Sequence, residues 1–157
     1  MTAKAGNDKR KMKSASRLYA VQALFQMEQA GQALDRVKVE FLDHRFGVEQ
    51  LEGEEMIEGN VTLFTNILEE AVSYQAKIDQ MTDRALVAKW PIARIDPVLR
   101  ALFRAAGAEF VALDTPPKVV IVEYLDVASA FFPDGKEARF VNAVLDHMAR
   151  EAKPEAF

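Results

Sequence analysis

Apolar residues recur along most of this chain at intervals of three and four, the spacing that lines one face of an α-helix. The pattern first appears at Leu18, Val21, Leu24 and Phe25 and stops before Gly31. Ser14 or Ser16 is placed to cap its start, so the spacing predicts a first helix from there to about Ala30. A shorter helix fits Leu34 to about Asp43, followed by a polar linker, HRFGVEQLEGEE, whose glycines and acids break the pattern. Ile57, Val61, Phe64, Leu68, Ala71, Gln75 and Ile78 then predict one long helix, with Ile67 and Val72 widening its stripe and Gly59 weakening its first turn. Thr82 is a candidate cap for a short segment towards Ala88, which the Trp90-Pro91 step interrupts.

Asp96-Pro97 has the form of an N-cap followed by a first-turn proline. Leu99, Leu102, Phe103, Ala106, Phe110 and Leu113 mark one buried face after it. Lys118 to Val122 is rich in β-branched residues and on propensity alone suits a strand. A helix is the better reading, because Thr115-Pro116-Pro117 supplies a cap and compatible prolines, and Val119, Val122, Leu125 and Ser129 hold helical spacing for three turns. Pro133-Asp134-Gly135 is a turn, and Phe140, Val141, Val144, Leu145 and Met148 form a last amphipathic stripe. The expected fold class is therefore all-α, a bundle of about seven helices in two small subunits that share a core. The expected organisation is a flexible basic arm over residues 1–13 and a single domain over 14–157, with subdomains of about 14–88 and 89–157.

Composition supports a folded chain: of 157 residues half are hydrophobic and 28% charged. No apolar run approaches the roughly 20 residues that cross a bilayer, and the basic N-terminus lacks the apolar middle of a secretory signal, so the expected location is cytoplasmic with no membrane contact. The absence of cysteine excludes disulfides and thiolate metal sites. His44 and His147 stand outside any metal-ligand spacing, and no Gly-rich phosphate loop is present. Neither catalysis nor a cofactor nor a metal is expected.

Charge changes the picture more than composition does. Lys4, Lys9, Arg10, Lys11, Lys13 and Arg17 face a single acid, Asp8, so residues 1–17 carry a net +5 and the other 140 carry -9. A cationic end on an acidic body suits a protein that meets a polyanion through one end. A solvated or tag-like tail is the competing reading of the same run.

Three words in the chain resemble the NusB family. RLYAVQALFQ is similar to that family's opening helix, TPPKVVIVEYLDVASAFF to a proline-led later helix, and RFVNAVLD to its hallmark KFVNGVLD. Between them, the pattern W-x-x-x-R-I-x-x-V-x-x-A-L-x-R-x-A-x-x-E-F from Trp90 to Phe110 matches without a gap. Leu99, Gly107-Ala108 and Val122 depart from the family's usual residues, and the start is lysine-weighted where the family is arginine-rich. The resemblance implies an all-helical antitermination factor. With the ribosomal small-subunit protein also called NusE, such a factor binds the boxA element of single-stranded leader RNA and helps RNA polymerase read through terminators in ribosomal RNA operons. It also implies that some relatives self-associate, so a homodimer is a further expected assembly.

Single-stranded RNA requires positive charge for its backbone and flat surfaces for its bases. Lys9, Arg10, Lys11, Lys13 and Arg17 are the candidate phosphate contacts, with Lys13 and Arg17 on one face at i, i+4. Phe25, Phe132 and Phe140 match aromatic positions near the family's RNA surface, although Phe25 and Phe140 also lie on core stripes. Phe132 sits before the Pro133 turn, where an exposed ring is easier to accommodate. Lys136 and Arg139 precede Phe140, and Asn142 either meets a base edge or bridges a neighbouring turn. Trp90 with Arg94 reads as inter-subunit packing. This site needs the basic start of the chain and the start of the last helix on one face. The alternative function is a helical protein-interaction module with little RNA binding of its own, its acidic body facing a basic partner.

Overall fold

The computed structural model describes residues 2–46, 57–86 and 94–157, with side chains left out for 2–9, 45–46 and 57–60. Among the described residues there are seven α-helices and no strand: α1 Thr2–Ala30, α2 Leu34–Phe41, α3 Ile57–Ser73, α4 Gln75–Ala85, α5 Pro97–Ala112, α6 Pro117–Phe131 and α7 Ala138–Ala152. A π-helical turn follows α2 at Leu42–Phe46, and a 3-10 turn follows α7 at Pro154–Ala156. Trp90, most of the polar linker and the expected subdomain boundary near residue 88 lie outside the described residues.

Helix α5 is the central element. Asp96 caps it as expected, accepting a hydrogen bond from Val98 N at 2.7 Å, with Pro97 in the first turn. Ten of its sixteen residues are buried, because it packs against α1, α3, α4, α6 and α7. Small residues make this possible: Ala105, Ala106, Gly107 and Ala108 let neighbouring helices approach closely. A Cβ on Gly107 would overlap the side chain of Ile78 on α4. The remaining core comes from Val21 and Leu24 of α1, Phe64, Ile67 and Leu68 of α3, and Val144, Leu145 and Met148 of α7.

Several local expectations are corrected. Helix α1 begins at Thr2, about three turns before Ser14, so residues 2–13, expected as an extended arm, are helical. Ser14 and Ser16 do not cap it: Ser14 Oγ donates to Glu123 at 2.9 Å and Ser16 Oγ to Met12 O at 3.1 Å. The single long helix expected over 57–78 is broken at Tyr74, whose backbone leaves helical geometry (φ -109°, ψ 18°), and α4 starts at Gln75, which is exposed. Thr82 is interior to α4, donating to Ile78 O at 2.8 Å, and Thr115 turns its hydroxyl to Glu109 rather than to the start of α6. On α6 the buried face is Val120, Ile121, Tyr124 and Val127; Val119 and Val122, expected inside, are 43% and 50% exposed. In a helix this apolar two registers fit the spacing, and the polar groups of Glu123 and Tyr124 decide between them by reaching partners inside.

Candidate nucleic-acid interface

The N-terminal half of α1 is held against α5 and α6 by a buried ionic cluster. Arg17, 4% exposed, donates to Glu109 through Nε at 2.8 Å and Nη2 at 3.0 Å. The same carboxylate accepts from Tyr124 Oη at 2.6 Å and Thr115 Oγ1 at 2.8 Å. Burial opposes the charge on Arg17, but the hydrogen bond and charge of Glu109 outweigh it, and the guanidinium's pKa is raised. Burial, with the Glu109 charge behind it, pushes the Tyr124 phenol well above its ordinary 10.0. Glu123 adjoins this cluster, accepting from Ser14 and lying 3.8 Å from Arg17 Nη1 and 3.9 Å from Arg10 Nε. Arg17 is thus corrected from a phosphate ligand to a structural ion pair, since using it on RNA would leave Glu109 buried without its main counter-charge.

The other basic residues with described side chains remain at the surface: Arg10, Lys11 and Lys13 are exposed. The side chain of Lys9 lies outside the described residues. Arg10, Lys13 and Lys118, from the first turn of α6, rim an open cavity of about 880 Å³ whose apolar lining includes Leu63, Pro116, Val119 and Val122, with Glu123 at one side. Lys118 was missed by sequence reasoning, because only the packing of α6 beside α1 brings it to the N-terminal cations.

The aromatic candidates gather elsewhere. Helices α1 and α6 run side by side in the same direction: Ser14 meets Glu123, Leu18 shares a groove with Val127, and Phe25 shares a concavity with Phe131. Fifteen residues of helix at about 1.5 Å each therefore separate Arg10 from Phe25 by roughly 22 Å. Phe25, Phe132 and Phe140 are all half-buried at the core's edge, and Phe140 packs edge-on against Phe103 with centroids 6.2 Å apart. Gln22, Gln26 and Gln29 border the Phe25–Phe131 concavity, placing amides next to rings. Lys136, Arg139 and Asn142 are exposed near the start of α7. The expected convergence of the basic start with this end of α7 is corrected: the two groups occupy opposite ends of the α1–α6 seam, and Glu123 and Asp126 line the groove between them.

A family model described as the NusB family matches residues 14–150. The chain belongs to the NusB family. The transcription antitermination protein NusB of Granulibacter bethesdensis is 44% identical over 156 residues, covering 96% of this chain and 95% of its own. That of Rhodopseudomonas palustris is 42% identical over 97% of this chain and 89% of its own. A NusB structure from T. maritima superposes with a TM-score of 0.72 at 26% identity, over 92% of this chain and 96% of its own. A structure of the antitermination factors NusB and NusE with double-stranded RNA has the same fold, with a TM-score of 0.72 at 21% identity over 90% and 98% of the two chains. In NusB-family terms, the hallmark word RFVNAVLD forms the opening of α7. Val141, Val144 and Leu145 bury its inner face, and Arg139 and Asn142 stay outside.

No helix among the described residues is long and apolar enough to cross a membrane, and no group of three or more His, Asp or Glu among them is placed to hold a metal.

Proposed function

We propose that this chain is a non-catalytic, cytoplasmic transcription antitermination factor that binds boxA-type single-stranded leader RNA together with the NusE ribosomal protein, promoting read-through in ribosomal RNA operons. The observation that carries the RNA reading is the seam between α1 and α6, with exposed cations at one end and half-exposed rings at the other. Arg10, Lys11 and Lys13, continued by Lys9, take backbone phosphates, and Arg17 holds the helix that presents them. Phe25, Phe132 and Phe140 offer ring surfaces to splayed bases, each stacked base contributing about 1 to 3 kcal/mol. Lys136 and Arg139 add charge beside Phe140, and Asn142 meets a base edge. Contact with the transcribing polymerase is indirect, through the assembled complex.

The test is a gel shift with leader RNA carrying boxA and with a scrambled control, each with and without the NusE protein. Preferential binding of the boxA RNA that strengthens with NusE is the expected result. Binding of NusE with no RNA preference would favour the protein-interaction reading instead.

A further inference from the structure

The start of α6 has a second neighbour. Besides facing Arg10 and Lys13, Lys118 and Val122 line a shallower depression with Ile121, Asp146, Arg150 and Phe157. The Phe157 ring is 41% exposed, with the Arg150 guanidinium 4.5 Å from its centroid and the Lys118 ammonium at 5.9 Å. The turn that carries Phe157 is anchored. Phe157 N donates to Pro154 O at 3.2 Å across the 3-10 turn, and Lys153, which opens that turn, is tied to the α5–α6 connection by its Nζ donating to Leu113 O at 2.9 Å.

We infer that the RNA-binding surface continues from the Arg10–Lys13–Lys118 cavity onto Phe157, so that nucleotides flanking the boxA-type segment stack on this ring while Lys118 and Arg150 meet their phosphates. The inference rests on the RNA reading above and extends it in the direction away from Phe25. Its chemical basis is a part-exposed flat ring with two cations beside it, which suits an unpaired strand whatever its sequence. Charge points to the same occupant. Arg10, Lys13, Lys118 and Arg150 are exposed. The acids among them are Asp146, paired with Arg150 at 2.9 Å, and Glu123, buried beside Arg17. Lys118 and Val122 line both the N-terminal cavity and the Phe157 depression and so join the two, while Glu123 borders both that cavity and the groove towards Phe25, which adds the exposed Asp126.

The test compares a boxA-type oligonucleotide with versions lengthened by about six nucleotides at the 5′ or the 3′ end, using the full chain. One extension should tighten binding by at least about fivefold, the low end for one stacked base. Phe157→Ala should abolish that gain without shifting the melting temperature or the affinity for the short oligonucleotide. Arg150→Gln should lower the salt slope for the extended RNA by about 0.7, one phosphate contact on a single strand. Equal affinity for all three RNAs, or a gain that survives Phe157→Ala, would overturn the inference and leave the boxA reading standing. Failure of the wild-type chain to bind even the short RNA would remove both.

Discussion

Glu109 is the residue on which the arrangement of α1 depends, since its fully buried carboxylate is shared by Arg17, Tyr124 and Thr115. Breaking a buried pair from one side costs about 3 to 5 kcal/mol, because the remaining charge stays desolvated. Glu109→Gln should therefore lower the unfolding free energy by an amount of that order, read from the denaturant midpoint. Restoring neutrality with Arg17→Met in the same chain should recover part of the loss. Tyr124 adds a pH dependence. Its folded-state pKa lies well above 10.0, so its contribution is complete below that value and is lost as pH rises towards the folded value. Stability should accordingly fall above about pH 10, and Tyr124→Phe should flatten that alkaline limb. The cluster was only half legible in the sequence. Arg17 was visible as a cation, but nothing in a charge run tells which member has a buried carboxylate 92 residues away. Gly107 was visible as a departure from the family pattern, and its role is now physical: Gly107→Ala should cost about 1 to 3 kcal/mol by overpacking Ile78, outweighing the gain in helix propensity.

At the level of elements, periodicity located helices wherever a polar face made the apolar stripe unambiguous. The opening of α5 and the stripe of α7 stand as the spacing predicts, and Gly31, at φ 66°, terminates α1 where the pattern stops. It failed where the stripe carried no contrast. Helix α6 is apolar on both sides, so spacing could not choose its inner face, and α3 and α4 share one period across the break at Tyr74, which the spacing does not register. Residues 2–13 have little to bury and so gave no stripe, yet their backbone is helical. Lys11→Glu with Lys13→Glu should weaken RNA binding across sequences and leave the melting temperature unchanged, because both side chains are exposed. Arg17→Glu should instead lower the melting temperature, as it opposes Glu109 with a like charge. Equal thermal loss in both variants would place Lys13 within the structural cluster.

Across the whole molecule, the sequence supplied candidate cations and rings but not their arrangement: that Arg17 is buried, that Lys118 joins the N-terminal cations, and that the rings lie at the other end of the α1–α6 seam all depend on how the helices pack. The body is tied together by a surface cluster in which Glu28 of α1 bonds Arg100 and Arg104 of α5, and Arg104 bonds Asp79 of α4 at 2.8 Å. The hydrogen bond from Arg100, assisted by the charges of both arginines, holds the Glu28 carboxylate below its ordinary range although burial opposes this. A depressed carboxylate pKa stabilises above the unfolded value and loses that contribution as pH falls through the folded one, so Glu28→Gln should flatten stability loss below about pH 5.

The proposed engagement of RNA phosphates by the exposed cations at the start of α1 is read from the salt dependence of boxA-type RNA binding. With about four phosphates engaged by Lys9, Arg10, Lys11 and Lys13, log K should fall against log salt with a slope near -3, and Lys11→Glu with Lys13→Glu should reduce the slope by about half. A flat response in the wild-type chain, or a slope that the two substitutions leave untouched, would mean that these cations do not meet the RNA backbone.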